Sequence, residues 1–266
     1  MPIQSRDGVR YLSFESFGCG VVQAVFTRQG GVSPKPWASL NVGGTVGDQA
    51  ERVRENRQRA FASLGLDPAT LFDVWQVHGI NVVIADAPHP PQSPHLCAAP
   101  TRQADAILSD KAEVSLFMRF ADCVPILLYD PLHKVVGLAH AGWMGTVRGV
   151  VRAALEAMQA RFGTQPADLQ AAIGPSIGQD HYAVGPDVVT QVRQAFGEDA
   201  SGLLATIDGG IHFDLWAANR LLLEQAGVRQ VEVAGLCTAC HLDDWYSHRA
   251  EKGRTGRFGA LIGLKP

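Results

Sequence analysis

The sequence predicts helices and strands mixed along the chain within one domain. Apolar runs of strand length alternate with stretches whose apolar residues recur at helical spacing. The 266 residues suffice for a large core, and no repeat or low-complexity linker divides them. The hydrophobic fraction of 46% and the charged fraction of 18% are ordinary for a globular protein. We therefore expect a single domain over residues 1–266.

The first predicted elements are a strand and a helix. GVVQAVF (20–26) is a strand-length apolar run, and the Gly-, Pro- and Ser-rich stretch after it excludes a long regular element. A helix is predicted to begin at Asp48, because the spacing from Asp48 to Glu51 is typical of a capping box. Gly65 follows the last apolar position and predicts the end of this helix.

The middle of the chain predicts mainly strands. LFDVWQVHG and INVVIADA form two predicted strands around a turn at His78–Gly79. Residues 88–103 contain five prolines and predict an irregular surface loop. AILSD, VSLFMRFADCVPILLYD and KVVGLAHAG are continuous apolar runs, which are typical of strands covered on both faces.

The last part of the chain continues the alternation. A helix is predicted from Thr146 to Phe162, and AAIGPSIG predicts a strand that enters a Gly-Pro turn. Two more helices are expected over about 187–197 and 214–226. VEVAGLC and FGALIGL are the last two predicted strands.

Charge, apolar runs and cysteine usage exclude several classes of protein. A net charge of −3 gives no bulk electrostatic reason to bind nucleic acid or an anionic membrane. No stretch approaches the roughly 20 apolar residues that span a bilayer, and no secretory signal pattern opens the sequence. Five cysteines without the spacing of a disulfide framework fit a reducing compartment. We expect a cytoplasmic monomer without a nucleic-acid or membrane partner.

Three side chains of metal-ligating type fall near predicted strand ends. They are His78, Cys123 and His140. Functional groups of α/β sheets converge at such ends. Imidazole and thiolate both suit Zn²⁺, and three protein ligands leave the fourth tetrahedral position open for water or substrate. On spacing alone, a copper ion, a metal-free Cys–His nucleophilic pair and three unrelated residues all remain open.

Two further motifs have chemical interpretations. In HAGWMGT (140–146), a helix beginning near Thr146 could hold an anion such as phosphate, although the glycines would equally permit a tight turn. Cys237-Thr238-Ala239-Cys240-His241 matches the C-x-x-C-H pattern of haem attachment and the C-x-x-C of zinc or redox pairs. Haem attachment normally follows export, so the expected cytoplasmic location argues against it.

Several sequence blocks, taken in order, resemble the YfiH family, also called the laccase-domain or multicopper polyphenol oxidoreductase family. WQVHG, ADCVPILLYDP, GLAHAGW and LCT…YSHR…GR are among these blocks, and the resemblance extends from about residue 20 to residue 262. It implies a single α+β domain with mixed β-sheets sandwiched between helices, similar to the cysteine-hydrolase-like folds.

The resemblance also implies a site and an activity. The family's metal ligands correspond to His78, Cys123 and His140, which are thus expected to be ligands and catalytic residues, with zinc as the ion and copper as an alternative. Family members are described as purine nucleoside phosphorylases, so phosphorolysis of adenosine, inosine or methylthioadenosine is implied, together with adenosine deamination. Within blocks that match the family, the expected substrate-binding residues are Arg28, Asn41 and Arg249.

Other functions fit the same three residues. Family members are also described as a peptidoglycan editing factor, which implies an amidase that acts on a UDP-muramoyl-amino acid. Copper-dependent oxidation of phenols would need several coppers, usually held by H-x-H pairs, and this chain contains no H-x-H. A structural zinc in a binding protein would need a fourth protein ligand, for which Cys237 is the candidate.

The chain departs from the family pattern at Met144, where GWRGT commonly has arginine. If that arginine holds an anion, its loss weakens anion binding, whereas the loss of a surface ion pair is nearly neutral.

The C-x-x-C-H string falls partly in a spacer that varies in the family. It is therefore interpreted as a chance match, with Cys237 as a packed strand residue. Tyr246, His248 and Arg249 are candidates for a pocket wall.

Overall fold

Two six-stranded β-sheets packed face to face form the centre of the computed structural model, which describes residues 2–88 and 102–265. The first sheet has the spatial order β1 (Ile3–Arg6), β2 (Val9–Leu12), β3 (Val21–Phe26), β14 (Phe258–Leu264), β7 (Ser115–Phe120) and β4 (Leu71–Phe72). The second has the order β13 (Gln230–Val233), β10 (Gln170–Ile173), β8 (Val124–Asp130), β9 (Val135–Ala141), β6 (Ala106–Ser109) and β5 (Val82–Ile84). A separate hairpin joins β11 (Leu204–Ile207) to β12 (Gly210–Phe213).

Both sheets are mixed. Most neighbouring strands are antiparallel, but β4 pairs with β7, β5 with β6, and β10 with β13 in parallel. The helices are α1 (Ala50–Ser63), α2 (Trp143–Arg148), α3 (Val150–Phe162), α4 (Pro186–Phe196), α5 (Ala200–Leu203) and α6 (Leu215–Gln225). The predicted α+β class with mixed sheets between helices is confirmed. None of the helices within the described ranges is long and apolar enough to cross a bilayer.

The continuous apolar runs are explained by burial on both faces of the sheets. In β8, Val124, Ile126 and Leu128 face the core beneath the helices, whereas Leu127 and Tyr129 face the core between the sheets. Because side chains alternate along a strand, a strand buried on both faces needs apolar residues at nearly every position. On the outer face of the first sheet, α1 packs through its own small apolar cluster.

The run VSLFMRFADCVPILLYD contains two strands that belong to different sheets. β7 lies in the first sheet and β8 in the second, and residues 121–123 carry the chain across. Asp122 has a φ of 82°, a left-handed conformation that reverses the chain direction. Its carboxylate accepts hydrogen bonds from the Thr238 hydroxyl at 2.7 Å and the Arg249 N–H at 2.6 Å. Local apolar pattern alone does not show this change of sheet.

The predicted boundaries of two helices are wrong. Helix α1 begins at Ala50 without a capping box, because the Asp48 carboxylate instead accepts hydrogen bonds from Ser33 at 2.6 Å and Asn41 at 2.9 Å. The helix predicted from Thr146 to Phe162 is two helices that meet at Gly149.

Two predicted strands are much shorter than expected. LFDVWQV forms a strand only over Leu71–Phe72, and VEVAGLC ends its strand at Val233. Cys237 therefore lies in a loop, where it forms an isolated bridge with Ser176. The prediction of an irregular loop over 88–103 lies almost entirely outside the described residues.

We expect Gly149→Ala to destabilise the protein by roughly 1–2 kcal/mol, because Gly149 has a φ of 84° and a Cβ is strained in that conformation. Gly202→Ala is the matched control, since Gly202 lies in α5 outside the left-handed region, with open space where the added methyl group would lie. Urea unfolding of both variants measures the difference. Equal stabilities would contradict the prediction.

Candidate metal centre and its cavity

The loop around His78 is held by the carboxylate of Asp105. The N–H groups of Val77, His78 and Gly79 donate to Asp105 at 3.1, 3.0 and 2.7 Å. His78 has a φ of 59°, a left-handed conformation that this cluster of hydrogen bonds stabilises. The imidazole of His78 thereby reaches the candidate site from a turn outside any strand.

Asp105 also orients His140, which is buried in β9. The His140 Nδ1 lies 2.8 Å from Oδ1 of Asp105, and the His140 N–H donates to the Asp105 carbonyl at 2.8 Å. With Nδ1–H donating to the carboxylate, Nε2 remains to face Cys123. One buried carboxylate thus holds the backbone of His78 and the ring of His140. A carboxylate on the second ring nitrogen, as at His140, is typical of histidines that bind metal.

Cys123 approaches from the crossing between the two sheets. Its Sγ and one ring nitrogen each of His78 and His140 lie within 4.8 Å of one another. Gly142 lies against this group: a Cβ there would be 2.8 Å from the Cys123 Sγ and 3.2 Å from the His78 ring. The site therefore requires glycine at position 142.

The three donors also change one another's ionisation. Burial opposes ionisation of the Cys123 thiol, but His140 and His78 outweigh it and lower the Cys123 pKa to about 6. Burial likewise opposes the charge on His140, yet the Cys123 thiolate and the Asp105 carboxylate raise the His140 pKa to about 9. In the metal-free protein, a thiolate and an imidazolium therefore coexist between about pH 6 and pH 9.

The donor set fits a zinc or copper ion. Two imidazoles and one thiolate are borderline-to-soft ligands, and three protein donors leave one coordination position open. The Asp105–His140 hydrogen bond supplies the outer support that such sites usually have. The sequence prediction that these three side chains converge agrees with their placement, and their roles as ligands and catalytic residues remain a proposal.

The three side chains lie in a cavity of about 420 Å³. Its other lining residues are Gly43, Gly44, Thr45, Trp75, Gln76, Arg119, Ala121, Asp122, Tyr182, His248, Arg249 and Arg257. The size falls within the range of small-molecule sites, about 300–1,000 Å³. Three arginines and two large aromatic side chains give the cavity a cationic part and flat apolar surfaces.

The expected substrate-binding residues occupy different places. Arg249 lines the cavity, where its guanidinium stacks over Tyr182 at 5.0 Å and donates to the Ala183 carbonyl at 2.9 Å. Arg28 lies outside the lining: it pairs with Glu251 at 3.2 Å and stacks on Tyr246 at 4.4 Å.

Asn41 is buried and also lies outside the cavity lining. Its Oδ1 accepts hydrogen bonds from the N–H groups of Gly43 at 3.0 Å and Arg257 at 2.9 Å, and both of those residues line the cavity. Of the other candidates for the wall, His248 lines the cavity and Tyr246 is buried behind it.

Two cavity arginines were missed from the sequence. Arg119 is the one charged residue of β7, and a charged residue inside a buried strand was the available signal. Arg119 is held by Asp73 at 3.2 Å and by Gln76 at 3.2 Å. Arg257 belongs to the second of the two Gly-Arg pairs that follow YSHR, within the region that resembles the family. Burial lowers its pKa, while Cys123 and Asp122 favour its charge.

The expected anion site at the start of the HAGWMGT helix is not formed at Thr146. Helix α2 begins at Trp143, and the Thr146 N–H donates to the Gly142 carbonyl at 2.8 Å. Met144 is half-buried on α2 and does not line the cavity. The cationic side chains of the cavity come from other segments, namely β7 and the loops that precede β14.

We expect alkylation of Cys123 in chelator-treated protein to rise through about pH 6, because the thiolate is the nucleophile. The same two pKa shifts also affect the free energy of unfolding. The stabilisation from the lowered Cys123 pKa is lost as pH falls through 6, and the stabilisation from the raised His140 pKa is lost as pH rises through 9. Peptide-resolved mass spectrometry after iodoacetamide treatment measures the alkylation rate of Cys123. Asp105→Asn should move the midpoint upward, and Zn²⁺ should protect the thiol. A rate that rises only near pH 9 in the wild type would be incompatible with this geometry.

Comparisons with known proteins are consistent with the sequence blocks. Residues 22–265 match the family model described as "Multi-copper polyphenol oxidoreductase laccase". A purine nucleoside phosphorylase of Deinococcus radiodurans is 40% identical over 245 residues, which cover 92% of this chain and 89% of the relative. The purine nucleoside phosphorylase YlmD of Bacillus subtilis is 34% identical over 247 residues, with coverage of 92% and 89%.

A solved structure of a similar protein has the same fold as this chain. The crystal structure of the hypothetical protein YfiH from Bacillus licheniformis has a TM-score of 0.89 and 32% identity, and the match covers 98% of this chain and 97% of that one. The family-model match over residues 22–265 includes His78, Cys123 and His140. The chain therefore belongs to the YfiH family, whose model carries the laccase description.

Proposed function

We propose that the protein is a purine nucleoside phosphorylase that acts on adenosine, inosine and methylthioadenosine, with adenosine deaminase activity at the same zinc-binding site. One observation carries the proposal: a His–Cys–His donor group shares a cavity with three arginines and two aromatic side chains. A nucleoside and phosphate need those features together, namely a flat apolar surface for the base and cations for the anion. Relatives at 34–40% identity are named purine nucleoside phosphorylases, which supports the same assignment.

The phosphate would bind to the cationic part of the cavity. Arg119 lies on β7, Arg257 directly precedes the neighbouring strand β14, and Arg249 lies earlier in the same connection between β13 and β14. Guanidinium groups bind phosphate oxygens through paired hydrogen bonds, and their side chains here are already fixed by protein contacts. In phosphorolysis a phosphate oxygen bonds to C1′ of the ribose, the glycosidic C–N bond breaks, and the purine nitrogen takes the electron pair.

The purine would bind against the aromatic side chains. Trp75 is 41% exposed, and both Trp75 and Tyr182 line the cavity. The departing purine must gain a proton, and His248 lines the cavity without belonging to the candidate centre. We assign His248 the delivery of that proton. Asn41 would act indirectly by holding Gly43 and Arg257, and Arg28 by holding the loop at Glu251.

Zinc bound by His78, Cys123 and His140 would supply a Lewis acid next to the substrate. The chain's own residues set the tautomer of His140 and the ionisation of Cys123 that metal binding requires. Asp105 holds the proton on His140 Nδ1, and the neighbouring imidazoles keep the Cys123 thiol ionised near neutral pH. Gly142 leaves the space between Cys123 and His78 clear of side-chain atoms.

We expect zinc-loaded protein to release adenine from adenosine only when phosphate is present, and to form inosine without phosphate. Cys123→Ala should fold normally and lose both activities, because it removes one of the three donors. Chromatography of the nucleosides and bases measures both reactions. No turnover by folded, zinc-loaded protein would refute the purine proposal, and a muramoyl-amino acid precursor would then test the amidase alternative. Copper-loaded protein tested with a phenol covers the oxidase alternative.

We expect Arg257→Met to raise the phosphate KM by about 10- to 100-fold, since losing a charge-assisted hydrogen bond costs about 1.5–3 kcal/mol. The nucleoside KM should change little, because the arginines bind the anion and the aromatic side chains bind the base. Arg148→Met is the matched control, as Arg148 is exposed on α2 and does not line the cavity. Initial rates with varied phosphate measure the effect. An unchanged phosphate KM would remove Arg257 from the proposed anion site.

A further inference from the structure

A second group of metal-ligating side chains lies outside the candidate centre. Asp180, His181, Cys237 and Cys240 each offer one donor atom, and these atoms all lie within 4.8 Å of one another. Two of the residues follow β10 and two follow β13. The C-x-x-C pair is the one interpreted from sequence as a chance match. The fold adds the His181 imidazole and the Asp180 carboxylate, which the C-x-x-C string does not contain.

The distances in this second cluster match a tetrahedral shell. The Sγ atoms of Cys237 and Cys240 lie 3.7 and 3.5 Å from Nδ1 of His181. Zinc bonds of about 2.3 Å to sulfur and about 2.0 Å to nitrogen place such ligands about 3.5 Å apart at tetrahedral angles. Cys240 Sγ also lies 3.5 Å from Oδ2 of Asp180. The Asp180–His181 pair, at 2.9 Å, is a hydrogen bond that would lengthen slightly around an ion.

The surroundings of the cluster suit a bound thiophilic cation. Cys237 is 6% exposed, and its Sγ accepts a hydrogen bond from the Gly178 N–H at 3.2 Å. Neither Cys237 nor Cys240 is in a disulfide. Asp180, His181 and Cys240 are exposed, so an ion can enter from solvent. Four protein donors close the shell, and a closed shell is the mark of a structural site.

The cluster joins two segments that form one wall of the candidate cavity. Tyr182, directly after His181, lines the cavity. Thr238, directly after Cys237, donates a hydrogen bond at 2.7 Å to Asp122, which also lines it. In the protein chain alone, backbone hydrogen bonds of Ser176 with Leu236 and Thr238 and the Gly178–Cys237 hydrogen bond connect the two segments. An ion in the cluster would connect them by coordinate bonds.

We propose that one Zn²⁺ binds in a closed tetrahedral site formed by Asp180, His181, Cys237 and Cys240. By linking the two segments, this ion stabilises the cavity wall that carries Tyr182 and Arg249. This second ion is separate from the one assigned to His78, Cys123 and His140. The proposal does not depend on which reaction the cavity catalyses, because it concerns only how the wall is held.

The test is a count of bound zinc in full-length protein that has been reduced, stripped with chelator, incubated with Zn²⁺ alone and freed of excess. We expect two equivalents in the wild type, one in Cys123→Ala, one in Cys240→Ala and none in the double variant. His241→Ala is the matched control and should retain two, since His241 neighbours Cys240 but lies outside the cluster. Elemental analysis by mass spectrometry gives the count.

Cobalt provides a second readout that activity does not influence. Co²⁺ bound to Cys123→Ala should show thiolate charge-transfer absorption, and Cys240→Ala added to that variant should abolish it. Zn²⁺ should raise the Tm of Cys123→Ala but not of the double variant. If Cys240→Ala does not fold, the exposed Asp180→Asn replaces it, and we expect at least about tenfold weaker zinc binding at this site.

Any of three results would overturn the proposal. The first is a Cys123→Ala protein that binds no zinc, and the second is a Cys240→Ala protein that binds as much zinc as the wild type. The third is a reduced C-x-x-C pair that binds no metal and closes to a disulfide on oxidation, which would make the pair a redox element instead. Mass spectrometry under non-reducing conditions detects that disulfide.

Discussion

The buried carboxylate of Asp105 is the constraint on which the candidate centre depends. A fully buried charge must be matched by hydrogen bonds, and Asp105 obtains them from three consecutive N–H groups around His78 and from the ring of His140. The hydrogen bonds that satisfy the Asp105 carboxylate therefore hold both imidazoles next to Cys123. Asp105 lies just before β6 and does not line the cavity, so it organises the site without facing the ligand.

The cavity exists because the chain changes sheets beside this carboxylate. Residues 121–123 cross from β7 to β8, and the crossing places Cys123 between side chains from both sheets. Arg119 and Arg257 come from the first sheet and its approach loop, whereas His140 comes from the second. Apolar clusters pack against both sheets, whereas charged and polar side chains of the cavity gather around this crossing.

The family description and the names of the relatives point to different chemistry, and the arrangement of residues bears on the choice. One three-donor group beside a cluster of arginines suits a substrate with an anionic partner, such as phosphate and a nucleoside. The second donor group, Asp180, His181, Cys237 and Cys240, has four protein ligands at spacings that suit a structural ion. Neither group has the many histidines that hold several coppers.

Local patterns in the sequence predicted alternating strands and helices and marked His78, Cys123 and His140 as ligand-type residues near strand ends. The α+β class with mixed sheets, and the grouping of these three residues in one centre, were implied by the resemblance to the YfiH family. The sequence did not determine which strands share a sheet: VSLFMRFADCVPILLYD looks like one run, although Asp122 divides it between two sheets. Only the tertiary structure brought Asp105 to His140 and His181 to the C-x-x-C pair. Those contacts join segments far apart in sequence, and no spacing rule within a segment encodes them.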